Sequence, residues 1–129
     1  MEYLNVMVVD DSSVVIRLLS SILTKLGHKV VRTARTGAEA IIAYNECNPD
    51  VVIMDITMPK MDGIEATEKI LASHPDARVI VATSNAAKDL VLKARAAGAR
   101  SYILKPVKPD RLRATLETVM RDELHILES

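Results

Sequence analysis

The sequence contains no tryptophan and no phenylalanine, and only three tyrosines. A core without these rings has to be built from Val, Ile, Leu, Ala and Met. The same shortage leaves no aromatic platform for stacking the bases of single-stranded nucleic acid. Cysteine is almost absent too. Cys47 is alone, which excludes an internal disulfide and a cysteine-based zinc cluster. It falls in a helical pattern and reads as a small buried apolar group. Neither sign of charge is in excess: 17 Lys and Arg balance 17 Asp and Glu. A nucleic-acid binder usually shows a basic surplus, so direct nucleic-acid binding is not expected. No apolar run is long enough to span a bilayer, and Met1–Asn5 lacks the basic and apolar stretches of a signal peptide. A cytoplasmic protein with no membrane partner is the expectation. Linkers and low-complexity segments are missing as well, as are internal repeats beyond a strand–helix alternation. At 129 residues the whole chain, 1–129, has the length of one compact domain, with a core over about 4–122 and a tail over 123–129.

What the chain does contain is an alternation. Short apolar runs predict strands at Leu4–Val9, Lys29–Ala34, Val51–Met54, Arg78–Ala82 and Ser101–Leu104. Helical spacing fills the gaps. Val15, Leu18, Leu19, Ile22 and Leu26 recur at three- and four-residue steps, and Gly27 supplies a stop. Thr36–Gly37–Ala38–Glu39 has the form of a capping box. Asp62 can cap a third helix, with Glu65 reaching back, and that helix ends before Pro75. A fourth is expected over roughly Ala86–Ala97, stopped by Gly98. The fifth starts near Pro109, with Leu112, Leu116, Val119 and Met120 as its inner stripe. Five strand–helix repeats imply an α/β fold: a parallel sheet with helices on both faces, three layers in all. Right-handed crossovers leave few connections, and spacing alone does not choose among them.

Five polar residues stand where the apolar runs end: Asp10, Asp11, Asp55, Thr83 and Lys105. Ligands of open parallel sheets bind outside the carboxyl ends of the strands. Three carboxylates gathered there would repel one another and raise each other's pKa unless a cation neutralised them. Hard oxygen ligands suit Mg²⁺ or Mn²⁺ rather than zinc or copper. Asp11 and Asp55 are the expected direct ligands, the Thr57 carbonyl the third, with Asp10 acting through a water. A carboxylate can also attack phosphorus, and Asp55, alone at the end of the third run, is the expected nucleophile. Lys105 and Thr83 can each reach a phosphoryl oxygen. Plainer readings exist for each residue. Asp10–Asp11–Ser12–Ser13 can cap a helix, Lys105 can be a solvated lysine, and Tyr102 can be half-buried packing. His28, His74 and His125 show no ligand spacing and are expected at the surface. The six Met residues read as gap-fillers.

Asp10–Asp11 after the first run, Met54–Asp55–Ile56–Thr57–Met58–Pro59 with Asp62–Gly63 following, Ala82–Thr83–Ser84 and Leu104–Lys105–Pro106 together resemble the receiver domain of two-component response regulators, including the single-domain, chemotaxis type. The resemblance covers about Val6 to Val119. It implies a flavodoxin-like fold with strand order 2-1-3-4-5, Mg²⁺ dependence, and phosphate transfer from a sensor histidine kinase to Asp55. It implies a cis Lys105–Pro106 bond and a switch in which Thr83 moves toward the phosphoryl group while Tyr102 rotates inward. The surface of helix four, strand five and helix five would then bind a downstream protein partner. Thr57 and Asn85 sit where such receivers tune dephosphorylation. The chain would catalyse only its own phosphorylation and dephosphorylation, and so is not expected to be an enzyme acting on foreign substrates.

Other functions leave different marks. A haloacid-dehalogenase-type phosphatase wants a second Asp two residues past the nucleophile, where this chain has Thr57. A flavodoxin-type flavin carrier wants a hydroxyl-rich phosphate loop after strand one, where this chain has two acids. No glycine-rich nucleotide loop is present. Two outputs stay open beside direct control of a partner: a phosphorelay step to a histidine phosphotransfer protein, or a receiver cut from a longer regulator with a DNA-binding domain. The tail Glu123–Leu124–His125–Ile126–Leu127 likewise reads as a helix extension, a self-association segment or a cut end.

Overall fold

In the computed structural model, which describes residues 3–85 and 87–121, the five apolar runs pair as parallel strands in the order β2-β1-β3-β4-β5. The strands are β1 (Asn5–Val9), β2 (Lys29–Ala34), β3 (Val51–Asp55), β4 (Val79–Thr83) and β5 (Ser101–Leu104). Between and after them run α1 (Ser13–Lys25), α2 (Gly37–Cys47), α3 (Gly63–Ser73), α4 (Lys88–Ala96) and α5 (Pro109–Met120). The flavodoxin-like order brings β1 and β3 side by side, with Val9 opposite Met54. In β2 the register shifts between Val6 and Met7 of its partner, so that Ala34 rather than Thr33 faces Val9.

Successive strand residues point to opposite faces, so one continuous apolar run feeds two cores. Val6 and Val8 join Ile53, Ile80 and Ile103 beneath α1 and α5, where Leu19, Leu23, Leu112, Leu116 and Val119 are buried. Met7 and Val9 join Val52, Met54, Val79 and Val81 against Ala40, Ala43, Ile70 and Ala94 from α2, α3 and α4. Alanines on that second side let the helices lie close to the sheet. Every residue of β3 and β4 is buried, as expected of central parallel strands. Among the described residues no helix is long and apolar enough to cross a membrane.

Helix starts follow the caps in the sequence. Ser12 Oγ accepts from Val15 N–H at 3.3 Å, Thr36 Oγ1 from Glu39 N–H at 3.0 Å, and Asp62 Oδ1 from Glu65 N–H at 2.8 Å. Gly27 and Gly98, at φ 93° and 103°, end α1 and α4 in the left-handed conformation. The reciprocal halves of the caps differ from expectation. Glu39 Oε2 accepts from Arg35 N–H, one residue before the cap, and Glu65 turns forward to Lys69 at 3.4 Å.

Several further expectations need correction. Leu18 is 51% exposed; the inward arc of α1 runs through Leu19, Ile22 and Leu23, and Leu18 lies to one side of it. β3 and β4 extend one residue further than expected, because Asp55 still pairs with Ala82 and Thr83 with Leu104. α4 starts at Lys88; Ala86, where it was expected to begin, lies outside the described residues, as do His125 and the tail over 123–127. His28 is not a surface residue. It is buried, and Nδ1 accepts from Leu4 N–H at 3.1 Å. His74 is half-buried, its ring centroid 4.7 Å from that of Tyr44 and its Nε2 2.6 Å from Asn45 Oδ1. Cys47 is half-buried at the edge of the α2–α4 core.

Candidate functional site

At the carboxyl end of the sheet, β1 and β3 deliver their acids to one point. Asp10 follows β1; its N–H donates to Ala34 O at 3.0 Å, and its Oδ1 accepts from Ser12 N–H at 2.9 Å. Ser12 is therefore the cap of α1, which leaves the second carboxylate oxygen of Asp10 free for another partner. Asp55 closes β3. The chain then turns sharply: Gly63 N–H donates back to Ile56 O at 2.8 Å, and a Cβ on Gly63 would lie 2.0 Å from the Asp55 carbonyl oxygen. Only glycine allows this approach of α3 to the end of β3.

Lys105 joins the two acids. Its Nζ donates to Asp10 Oδ2 at 2.7 Å and to Asp55 Oδ1 at 2.9 Å. Its own N–H donates to Thr83 O at 2.9 Å, and the Lys105–Pro106 peptide is cis. Asp10 and Asp55 are 1% and 4% exposed, so this is a nearly dry charge cluster. Burial pushes the Asp55 carboxyl up, and Lys105 only partly counters it. Burial alone would lower the Lys105 ammonium, but its two hydrogen-bonded carboxylates outweigh that and the net direction is upward.

Asp11 is exposed, yet its carboxylate comes within 4.8 Å of those of Asp10 and Asp55. Three carboxylates and one ammonium leave a net charge of −2, which one divalent cation would cancel. Arg35 was not foreseen from the sequence. Its guanidinium donates to the main-chain carbonyl of Asp11 at 2.9 Å. Its position one residue past β2, beside β1 in the sheet order, was the available signal.

Thr57 is exposed and its N–H donates to Asp55 Oδ1 at 3.3 Å. Thr83, buried at the end of β4, faces the next loop: its hydroxyl donates to Asn85 O and accepts from Asn85 N–H, both at 3.0 Å. Asn85 Oδ1 in turn accepts from Ala87 N–H at 2.9 Å, just before α4. The Thr83 hydroxyl is thus tied to the entry of α4. Tyr102 is half-buried against the α2–α4 core. Along the outer edge of β5, Tyr102, half-exposed Leu104, Lys105, Lys108 and Arg111 line a groove of about 350 Å³.

A sequence profile of the response regulator receiver domain matches residues 6–117. The chain is 40% identical over 116 residues to the chemotaxis protein CheY of Thermotoga maritima, which spans 90% of this chain and 97% of that one. Among solved structures it is similar to the crystal structure of the CheX-CheY-BeF3-Mg²⁺ complex from Borrelia burgdorferi, at 37% identity and a TM-score of 0.85 over 89% of this chain and 87% of that one. A LuxR-family two-component response regulator from Aurantimonas sp. SI85-9A1 aligns with a TM-score of 0.90 at 32% identity, covering 95% of this chain and 88% of its own.

Proposed function

Because this chain belongs to the response regulator receiver family, modules of two-component signalling rather than enzymes of metabolism, we propose that Asp55 accepts a phosphoryl group from a sensor histidine kinase. The observation that carries this reading is the Lys105 ammonium held between buried Asp10 and Asp55, with Asp11 alongside. The ammonium is within bonding distance of the acceptor before any phosphate arrives. Phosphoryl transfer asks mainly for such positioning and charge neutralisation.

In the step itself an Asp55 carboxylate oxygen bonds to phosphorus, and the phosphorus–nitrogen bond of the donor phosphohistidine breaks. The electron pair leaves with the histidine nitrogen. Asp55 Oδ1 accepts from Lys105 and Thr57 N–H, so Oδ2 is the oxygen that attacks phosphorus. The donor set fits Mg²⁺ (or Mn²⁺): hard oxygens with two surplus negative charges. Asp11, Asp55 and the Thr57 carbonyl would hold the ion, with Asp10 acting through a water. Bound there, it would neutralise the crowded acids and the incoming phosphoryl oxygens. Lys105 then serves one phosphoryl oxygen and Thr83 another.

The aspartyl phosphate carries about −1.5 to −2 where Asp55 carried −1. That charge draws the Thr83 hydroxyl from Asn85, and Tyr102 turns inward behind it. The α4/β5/α5 surface changes shape and engages a downstream protein. Relatives named chemotaxis protein CheY support a chemotaxis-type output, and we place that output, by protein contact, in the cytoplasm.

With acetyl phosphate and Mg²⁺, intact mass spectrometry should show a gain of one phosphoryl group. Asp55→Asn and chelation of the ion should each abolish it; label retained in the Asn variant would place the acceptor elsewhere.

A further inference from the structure

Two of the three acids have donors of their own. Asp10 accepts from Lys105 and Ser12 N–H, and Asp55 from Lys105 and Thr57 N–H. Asp11 differs. Its carboxylate is exposed, and no described residue donates to it. The aim of that carboxylate therefore depends on its main chain.

The main chain is held from the neighbouring strand. Ala34, the last residue of β2, accepts the Asp10 N–H, and the next residue, Arg35, grips the Asp11 carbonyl through its side chain. Arg35 is itself anchored, since its N–H donates to Glu39 Oε2 in the first turn of α2. The register shift in β2 sets this up by advancing Ala34 to the level of Val9.

We propose that Arg35 is a positioning residue for the divalent-cation site, clamping the Asp11 carbonyl so that the one undonated carboxylate points into the acid cluster. The inference rests on the Mg²⁺-dependent phosphoacceptor reading above. A rival effect has the opposite sign. A guanidinium on the Asp11 main chain, outside the cluster itself, still repels a divalent cation, and its removal would tighten binding. At an exposed position that repulsion is screened by water and salt, whereas an unclamped loop loses aim whatever the salt. The two effects therefore order the variants differently.

The test is Mg²⁺ binding to the full chain by calorimetry for the wild type, Arg35→Ala and Arg35→Lys, with amide exchange on the metal-free proteins. Lysine keeps the charge and offers one flexible donor. Positioning predicts affinity in the order wild type, Lys, Ala. The Ala variant should be about three- to tenfold weaker, less than for supporting residues of buried metal sites because Arg35 is exposed. Exchange of the Ser12 amide should quicken in the Ala variant while the unfolding midpoint holds. An Ala variant that binds Mg²⁺ as tightly as the wild type, a Lys variant no better than Ala, or unchanged Ser12 exchange would each overturn the proposal. A wild type that binds no Mg²⁺ at all would instead remove the reading beneath it.

Discussion

Lys105 shows how one side chain can set the behaviour of a site before any ligand arrives. It is largely buried and bridges two carboxylates that are nearly dry. Lys105→Met would leave both acids without their shared counter-charge. Water reaching the opened site softens the usual cost of orphaning buried charges, so the expected loss is about 1–3 kcal/mol at neutral pH. Urea unfolding of the metal-free variant measures it, and the loss should shrink as Mg²⁺ is added and binds the folded state. His28 makes a pH prediction at the other end of the sheet. Burial holds its pKa below the ordinary histidine value, and Nδ1 must stay unprotonated to accept from Leu4 N–H. A depressed folded-state pKa means the unfolded chain binds the proton more readily. The stability owed to neutral His28 is therefore intact above about pH 6.5 and is lost as pH falls through the folded-state value. Urea midpoints at pH 7.5 and pH 5.5 should differ more for the wild type than for His28→Gln. Equal pH slopes would contradict the assignment.

At the level of elements, the tightest fit is the approach of α3 to β3. Gly63→Ala would set a methyl group against the Asp55 carbonyl, where main chain must give way. A destabilisation of at least about 2 kcal/mol is expected. Labelling by acetyl phosphate should fall further than the folded fraction does, because the strain sits on Asp55, the proposed acceptor. Comparing labelling with circular dichroism on one sample separates the two losses. The strand–helix alternation, the five helices and their main caps were all readable from the sequence, because apolar periodicity and Ser/Thr/Asp caps are local signals. What escaped was non-local. Leu18 has the right helical spacing to face inward, but the placement of α1 on the sheet turns Leu19, Ile22 and Leu23 inward instead. His28 is polar and follows a glycine stop, yet it is buried and takes the N–H of Leu4, just ahead of β1. The convergence of Asp10, Asp11, Asp55 and Lys105 could be argued because each ends an apolar run. For Arg35 the sequence offered only its place one residue past β2; its grip on Asp11 depends on the β1–β2 register. The tie between Thr83 and Asn85 could not be argued, since it depends on how the β4–α4 loop folds back.

The molecule as a whole divides its apolar residues between two unequal faces. α1 and α5 press leucines onto one side, while α2, α3 and α4 lay alanines against the other. Leu116→Ala, in the first of these cores, should cost about 2–5 kcal/mol, and Leu18→Ala on the exposed flank of α1 less than about 0.5 kcal/mol. Chemical denaturation of both variants checks the contrast; similar losses would mean that α1 is seated differently. The three tyrosines are scattered across this architecture in unlike surroundings. Tyr3 is exposed ahead of β1, Tyr44 is buried against the imidazole of His74, and Tyr102 stands beside the groove next to Lys105. With no indole to outshine them, these phenols supply all the intrinsic fluorescence of the chain. Only Tyr102 shares a groove with Lys105, so emission that changes on the proposed activation would be a spectroscopic signature of strand β5, obtained without attaching a dye.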